Sequence, residues 1–367
     1  MKFPFFNILR KKKASAPDRL MLLAVVVLSL FGLLMVYDSS VAIAVRDFGN
    51  QYYYLRDQLK WLAVGFAALT VFSFIDYHAW YKIALPILLV TLVLLLAVFI
   101  PGVGVRALGA HRWINFGFFV LQPAEFAKLA LVIYLSAWFS VRERGRFAAF
   151  ALLVAMVVGL VLLEPDLGTS VVIVAIALIL YFASGAPVLH FVVILPVLVA
   201  GILVLAIISP YRMARLTTFL HPEQDPLGSS YHIRQALLGL GSGGWFGVGV
   251  GQSRQKYEYL PEANTDSIFA IIGEETGYVG GVAVILMFVF TSWRGFRIAK
   301  RAQDGFGRLL AIGVTSWISL QSIINLSAMV ALLPLTGVPL PFVSYGGSSL
   351  IVVLAAVGIL LNISKTQ

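Results

Sequence analysis

The stretch LMLLAVVVLSLFGLLMVY, residues 20–37, follows the basic run Arg10, Lys11, Lys12 and Lys13 and carries no charged side chain. At 1.5 Å per residue a helix of this length reaches about 27 Å, close to the thickness of the hydrocarbon core of a bilayer. A basic start before an apolar stretch is also the layout of a signal peptide. This one is as long as a full span, and no small-residue cleavage pattern follows it, so it reads as a retained first helix.

The pattern recurs. Apolar blocks run over 20–37, 59–75, 81–100, 122–140, 147–163, 168–184, 188–208, 267–291, 309–333 and 349–363. They predict an all-α polytopic membrane protein of about ten transmembrane helices, with a single membrane domain over 20–363 between a basic N-terminal segment, 1–19, and a short tail, 364–367. The composition agrees: 60% of residues are hydrophobic and 12% charged, with a mean hydropathy of +0.93. A soluble domain carries about a quarter charged residues. No cysteine is present, which excludes disulfides and thiolate metal sites.

An even number of spans puts both termini on one side, and the positive-inside rule says which. With the N-terminus inside, the inner segments hold 16 of the 27 Lys and Arg and the outer segments hold ten, Lys128 lying within the fourth block. Five of the outer ten sit in one loop, 209–266, and long loops weigh little in the rule. Both termini are therefore expected in the cytoplasm. The net charge of +10 is spread between spans, which argues against a nucleic-acid partner and for membrane lipids as neighbours. Four segments then lie outside: 101–121, Glu164 to Asp166, the long loop 209–266 between helices 7 and 8, and the uncharged turn 334–348. Short amphipathic helices are expected in the long loop, Tyr231 to Leu240 among them.

The chemistry-bearing residues cluster in or beside these outer segments. Asp266 closes the long loop where the eighth block begins. It is either a carboxylate facing the helix dipole or a general base whose partial burial raises its pKa. Glu125 and Lys128, three apart on one helix face, are either a pair reaching for the interface or the lining of a polar cavity. Glu274 and Glu275 sit two turns into the eighth block and point about 100° apart. Arg212, Arg215 and Lys256 belong to a loop that either faces lipid headgroups or binds the phosphates of a lipid pyrophosphate, for which Arg offers bidentate donors. The Pro- and Gly-rich turn that contains Ser344 is tolerated at membrane depth only if buried in protein or lining a cavity. Gly239 to Gly244 matches G-x-G-x-x-G but lacks the strand-turn-helix context of a dinucleotide site.

The runs RWIN (112–115), QPAEFAK (122–128), EPDLGT (164–169), FLHPEQDPLG (219–228), QKYEYLPEANTD (255–266), GEE (273–275) and GVPLPFVSYGGSS (337–349) together resemble the SEDS family (shape, elongation, division and sporulation) in the family's order. The resemblance implies an enzyme of the bacterial inner membrane, a peptidoglycan glycosyltransferase that polymerises lipid II into glycan strands at the outer face. It also implies Asp266 as the catalytic carboxylate, Glu125 and Lys128 along the cavity leading to it, and a class B penicillin-binding protein as transpeptidase partner. A divalent cation, Mg or Mn, often accompanies such activity. The run QKYEYLPEA is closer to the division-type members than to the elongation type, which implies work at the septum beside other division proteins. Two positions depart from the family pattern: Asn264 stands where His is usual, and Ser267 where Phe is usual. The rival readings are a lipid II flippase, which needs polar residues in both halves of the membrane, and a scaffold that only recruits division proteins.

The charge bias makes a prediction about sidedness. Single cysteines placed at Ser242 and at Ala302 should label with an impermeant thiol reagent from opposite faces of the membrane, Ser242 from outside. Labelling of both from the same face would overturn the topology.

Overall fold

The computed structural model describes residues 16–107, 110–115, 117, 119–141, 145–208, 210–221, 228 and 230–366; of residues 106, 107, 110, 111, 202, 205, 206 and 210–212 it describes the backbone alone. The basic run Arg10 to Lys13, and Arg142 and Arg144 of the charge count, lie outside the described residues.

Every apolar block coincides with a helix. They are α1 (Arg19–Phe48), α2 (Tyr53–Phe74), α3 (His78–Ala97), α4 (Pro123–Phe139), α5 (Phe147–Leu163), α6 (Leu167–Ala183), α7 (Val188–Ile208), α10 (Ile268–Arg301), α11 (Gly305–Met329) and α12 (Gly347–Lys365). Two further helices, α8 (Pro210–Leu220) and α9 (Tyr231–Ser242), lie in the long loop, as its amphipathic pattern predicts. Five helices, α1, α3, α10, α11 and α12, are long and apolar enough to cross a membrane by length and composition alone. Polarity is inverted relative to a soluble protein. Large apolar side chains such as Phe74, Leu152 and Ile208 point outward, while Glu125, Lys128, Glu274 and Glu275 are buried. That arrangement lowers free energy only where the surroundings are themselves apolar.

The all-α expectation fails in one place. Segment 101–121 folds into an antiparallel three-stranded sheet of β1 (Gly104–Ala107), β2 (Ala110–Asn115) and β3 (Val120–Leu121), in that order. Val105 pairs with Trp113 and Ile114 with Leu121, with an irregularity between Val105 and Arg106. The alternation of β-branched and aromatic residues with small or polar ones is a strand signal. It is short, sits between two long apolar blocks, and is easily read as loop. Gln122 N donates to Ser348 Oγ at 3.1 Å, which ties the end of the sheet to the start of α12.

Helix α12 is buried along most of its length, between α2, α4, α10 and α11, and α7 lies at the periphery against α8. The first turns of α4 follow from sequence: Pro123 fills the first helical position after Gln122, where its missing N–H costs nothing. Helix α10 is broken inside. Gly277 has φ 66° and ψ −165°, and a Cβ there would fall 2.3 Å from Gly247 N, so the backbone of the long loop packs directly into the break. Glu274 and Glu275 flank it. The Glu274 carboxylate accepts from Ser253 Oγ and from Arg254 N (3.1 Å) and Gln255 N (3.3 Å). The Glu275 carboxylate accepts from Ser253 N at 3.1 Å and from Lys256 Nζ at 3.1 Å, and that lysine also donates to Asp38 of α1 at 2.8 Å.

Glycine 277 is therefore required both for its backbone angle and for the space it leaves. Gly277→Ala should lower the yield of folded protein and the melting temperature in detergent. Gly159→Ala, in the interior of α5 with nothing within 4 Å of the added carbon, should leave the melt unchanged or raise it slightly. Equal melts for the two variants would show that the break tolerates a side chain.

Candidate functional site around Asp266

The turn 262–267 carries Asp266 to the start of α10. Ser267, not Asp266, is the capping residue, and no side chain caps this helix. The dipole-capping role that sequence leaves open for Asp266 is thus not what the structure shows. Its backbone carbonyl is held instead, accepting from Asn325 Nδ2 of α11 at 2.8 Å. The same amide nitrogen donates to Val338 O at 2.9 Å, so one side chain joins the turn to the irregular segment between α11 and α12.

That segment, 330–346, is the other wall of the site. Val338, Leu340, Phe342 and Val343 are buried, as the Pro- and Gly-rich turn must be if it lies at membrane depth. Its backbone polar groups are met by side chains. Gln321 Nε2 donates to Pro339 O at 2.9 Å, Leu340 N donates to Ser344 Oγ at 2.8 Å, and Ser344 Oγ donates to Thr265 O at 2.6 Å. Tyr345 N donates to Asn264 O at 2.9 Å. Ser344 thus acts by fixing the residue before Asp266. At Gly337, φ +72°, a Cβ would stand 3.4 Å from Asp266 Oδ2 and 4.0 Å from Arg215 Nη1, so this glycine leaves open the space between carboxylate and guanidinium.

The Asp266 carboxylate makes no hydrogen bond or ion pair with any described residue. It is half-buried, and desolvation pushes its pKa up to about 7; the negative charge of Glu262 adds to the rise and Arg215 opposes it, with smaller opposed contributions from Asp166 and Arg112. Arg215 is anchored by donating Nη1 to Leu335 O at 2.8 Å. Arg112 is anchored on the turn between α5 and α6, donating to Glu164 O at 3.0 Å and Pro165 O at 2.6 Å. Asp166 caps α6 by accepting from Thr169 N at 3.0 Å. Glu164 is fully buried with neither carboxylate oxygen hydrogen-bonded by a described residue, and burial, helped by Asp166 and opposed by Arg112, pushes it up to about 8. A carboxyl with that pKa is protonated at neutral pH.

The predicted site residues separate into three groups. Asp266, Arg215 and Ser344 come together at the turn. Glu125 and Lys128 form a sealed pair, with side chains 2% and 0% exposed and Nζ to Oε1 at 2.7 Å. Lys128 also donates to Gln321 Oε1 at 2.8 Å and lies 5.1 Å from the Trp317 ring centre. The pair does not reach for the interface. It braces Gln321, which holds the wall of the site. Lys256, Glu274 and Glu275 gather at the break in α10, roughly 12 Å along the helix from Asp266 at 1.5 Å per residue, and hold the long loop there. The side chain of Arg212 lies outside the described part. Sequence reasoning missed Asn325, Arg112 and Glu164 as members of the site; Asn325 does stand out as an amide within an apolar block, where a polar side chain needs a partner. Among the described residues no three or more His, Asp or Glu are grouped to hold a metal such as the divalent cation that the resemblance implies.

Asp266 thus presents a carboxylate that no described residue pairs, with the Arg215 guanidinium across Gly337 from it. The chain belongs to the cell cycle protein family of FtsW, RodA and SpoVE, which matches residues 18–367. It is 39% identical to stage V sporulation protein E of Bacillus subtilis over 96% of this chain and 98% of that protein. It is 40% identical to the probable peptidoglycan glycosyltransferase FtsW of Trichlorobacter lovleyi over 98% and 96%. Among solved structures, a chain of a peptidoglycan synthase complex that coordinates polymerization and crosslinking superposes with a TM-score of 0.79 at 28% identity, covering 96% of this chain and 98% of that one. RodA of Thermus thermophilus, a rod shape determining protein, superposes with a TM-score of 0.70 at 28% identity over 95% and 97%.

If the sealed pair supports the site through Gln321, Glu125→Gln and Lys128→Met should each cut activity strongly in the protein that inserts and purifies, because the brace on Gln321 is disturbed, and each should lower the melting temperature, because its partner is left buried without a counter-charge. Near-parental activity of both variants would reduce the pair to a packing element.

Proposed function

We propose that this protein is a peptidoglycan glycosyltransferase that polymerises lipid II into glycan strands at the outer face of the bacterial cytoplasmic membrane. The observation that carries the reading is the carboxylate of Asp266: without a partner among the described residues, half-buried and held near neutrality between Glu262 and Arg215. The names of the relatives as glycosyltransferases support it, as does the order of the matching motifs along the chain.

In the proposed reaction Asp266 takes the proton from the acceptor sugar hydroxyl as that oxygen attacks the anomeric carbon of the donor. A new carbon–oxygen bond forms there as the bond to the lipid pyrophosphate breaks, and the bonding pair leaves with the phosphate. Arg215 and Arg112 offset the charge that grows on the leaving group, an electrostatic contribution that is usually the largest in such transfers. No nucleotide sugar is needed, in keeping with a site outside the cytoplasm. No step is assigned to a metal.

The same reading gives ten spans with both termini inside and the loop 209–266 outside. It gives a class B penicillin-binding protein as the crosslinking partner and a septal role in division, supported by the FtsW-like run at 255–263. A flippase gains little from the buried charges, since Lys128 is closed on Glu125 and Gln321 and Lys256 on Asp38 and Glu275.

Two measurements on detergent-purified protein test the base. Asp266→Asn should melt normally and lose polymer formation from lipid II by on the order of 10² to 10⁴, because the amide cannot take a proton. Activity at a tenth or more of the parental rate would remove Asp266 from the reaction. For the parent, the base works only when ionised, so the rate should be half-maximal near pH 7, level off above it, and fall about tenfold per pH unit below it.

A further inference from the structure

Ser267 directly follows the free carboxylate and stands at the cap of α10, but its hydroxyl caps nothing. Its Oγ lies 2.6 Å from Nε2 of His232, which α9 carries 35 positions earlier in the chain. Two features bring them together. Helix α9 buries Ile233, Ala236 and Gly239, a stripe at helical spacing, and packs along α10. The first turn of α9 therefore falls beside the first turn of α10, and His232 meets Ser267 there. Ser267 is fully buried, so a hydroxyl without this partner would be stranded.

The imidazole also lines a chamber of about 310 Å³ together with Arg215, Thr218 and Phe219. Arg215 is the guanidinium that faces Asp266 across Gly337, so the chamber and the base share a wall. Burial, with the charge of Arg215 second, holds the His232 ring down to a pKa of about 4, and the ring is neutral at the pH where Asp266 ionises. A neutral imidazole has one donor and one acceptor nitrogen, and Ser267 Oγ can meet Nε2 in either role. Nδ1 makes no hydrogen bond with any described residue.

The backbone of the turn is held by Asn325 on Asp266 O, by Ser344 on Thr265 O, by Tyr345 N on Asn264 O and by Glu262 O accepting from Ser267 N at 3.1 Å. None of these contacts reaches α9. The hydrogen bond between Ser267 and His232 is the side-chain tie from the turn to the helix that walls the chamber.

We propose that His232 is a positioning residue for Asp266, fixing through Ser267 Oγ the turn that presents the carboxylate beside Arg215. The proposal rests on Asp266 acting as the base. It predicts a loss in turnover, since a misplacement of about 1 Å at a reacting group can cost 10²-fold in rate while leaving remote substrate contacts intact.

The test is steady-state polymerisation of lipid II by the full-length protein with variants His232→Leu, Ser267→Ala, the double variant and His232→Gln. His232→Leu and Ser267→Ala should each lower kcat by about tenfold to a hundredfold with KM changed by less than about twofold. The double variant should be no worse than the poorer single one, because both remove the same contact. His232→Gln should recover a large part of the loss, its amide again offering a donor and an acceptor. Melting temperatures that stay with the parent's exclude a folding effect; if His232→Leu fails to fold, Ser267→Ala and His232→Gln carry the test. The proposal is overturned if Ser267→Ala keeps near-parental kcat, if the two losses multiply in the double variant, or if KM rises in place of the fall in kcat, which would make His232 a substrate contact. Asp266→Asn in the same assay separates the two layers: retained activity there sinks the base, whereas its loss with unimpaired His232 and Ser267 variants sinks the tie alone.

Discussion

Backbone N–H and C=O groups surrounded by apolar side chains or lipid have no water to bond, and each must find a partner within the protein. Helices meet that demand by themselves. Segment 330–346 and the turn 262–267 do not, and their stability depends on polar side chains sent out from neighbouring helices: Asn325 and Gln321 from α11, with Ser344 from the segment itself. Asn325 carries the most, because one amide nitrogen holds both pieces at the point where Asp266 emerges. The irregular backbone at the site exists because these amides and hydroxyls satisfy it.

Buried charge is handled by the same rule at greater cost. Two networks are sealed, Lys128 with Glu125 and Gln321, and Lys256 with Asp38 and Glu275. Replacing such pairs by apolar residues is often neutral for stability, so their presence argues for placement more than for strength. Each joins parts that the helices alone would leave free: the first braces the wall of 330–346 through Gln321, and the second pins the long loop to the break at Gly277. Asp266 is the contrast, a carboxylate that no described residue pairs. Desolvation raises its pKa toward neutrality, the range in which a general base works best.

The site therefore combines an unpartnered group with a rigid surround. Four elements far apart in sequence converge on it: the turn before α10, Arg215 of α8, the segment before α12 and the α5–α6 turn with Arg112 from the sheet. Preorganisation of this kind keeps the donors in place as charge shifts during transfer.

Much of this was legible in one dimension. Hydropathy located all ten apolar helices, because a continuous apolar run has few alternatives in a membrane, and the amphipathic stretch Tyr231 to Leu240 located α9. Asp266 stands out in the sequence by its place at the junction of loop and helix. The sheet at 104–121 was missed, since its alternation is short and weak beside the apolar blocks that flank it. The roles of Glu125, Lys128, Glu274, Glu275 and Lys256 were also open, because spacing shows which residues share a helix face but not what stands opposite. Only the packing of α11 against the turn brings Asn325 to Asp266, 59 residues away, and only the packing of α9 against α10 brings His232 to Ser267. Sequence by itself determined which segments avoid water, a property summed over many residues in a row. The tertiary structure alone decided which single polar atoms meet, because that depends on helix rotations and crossings set by the whole packed assembly.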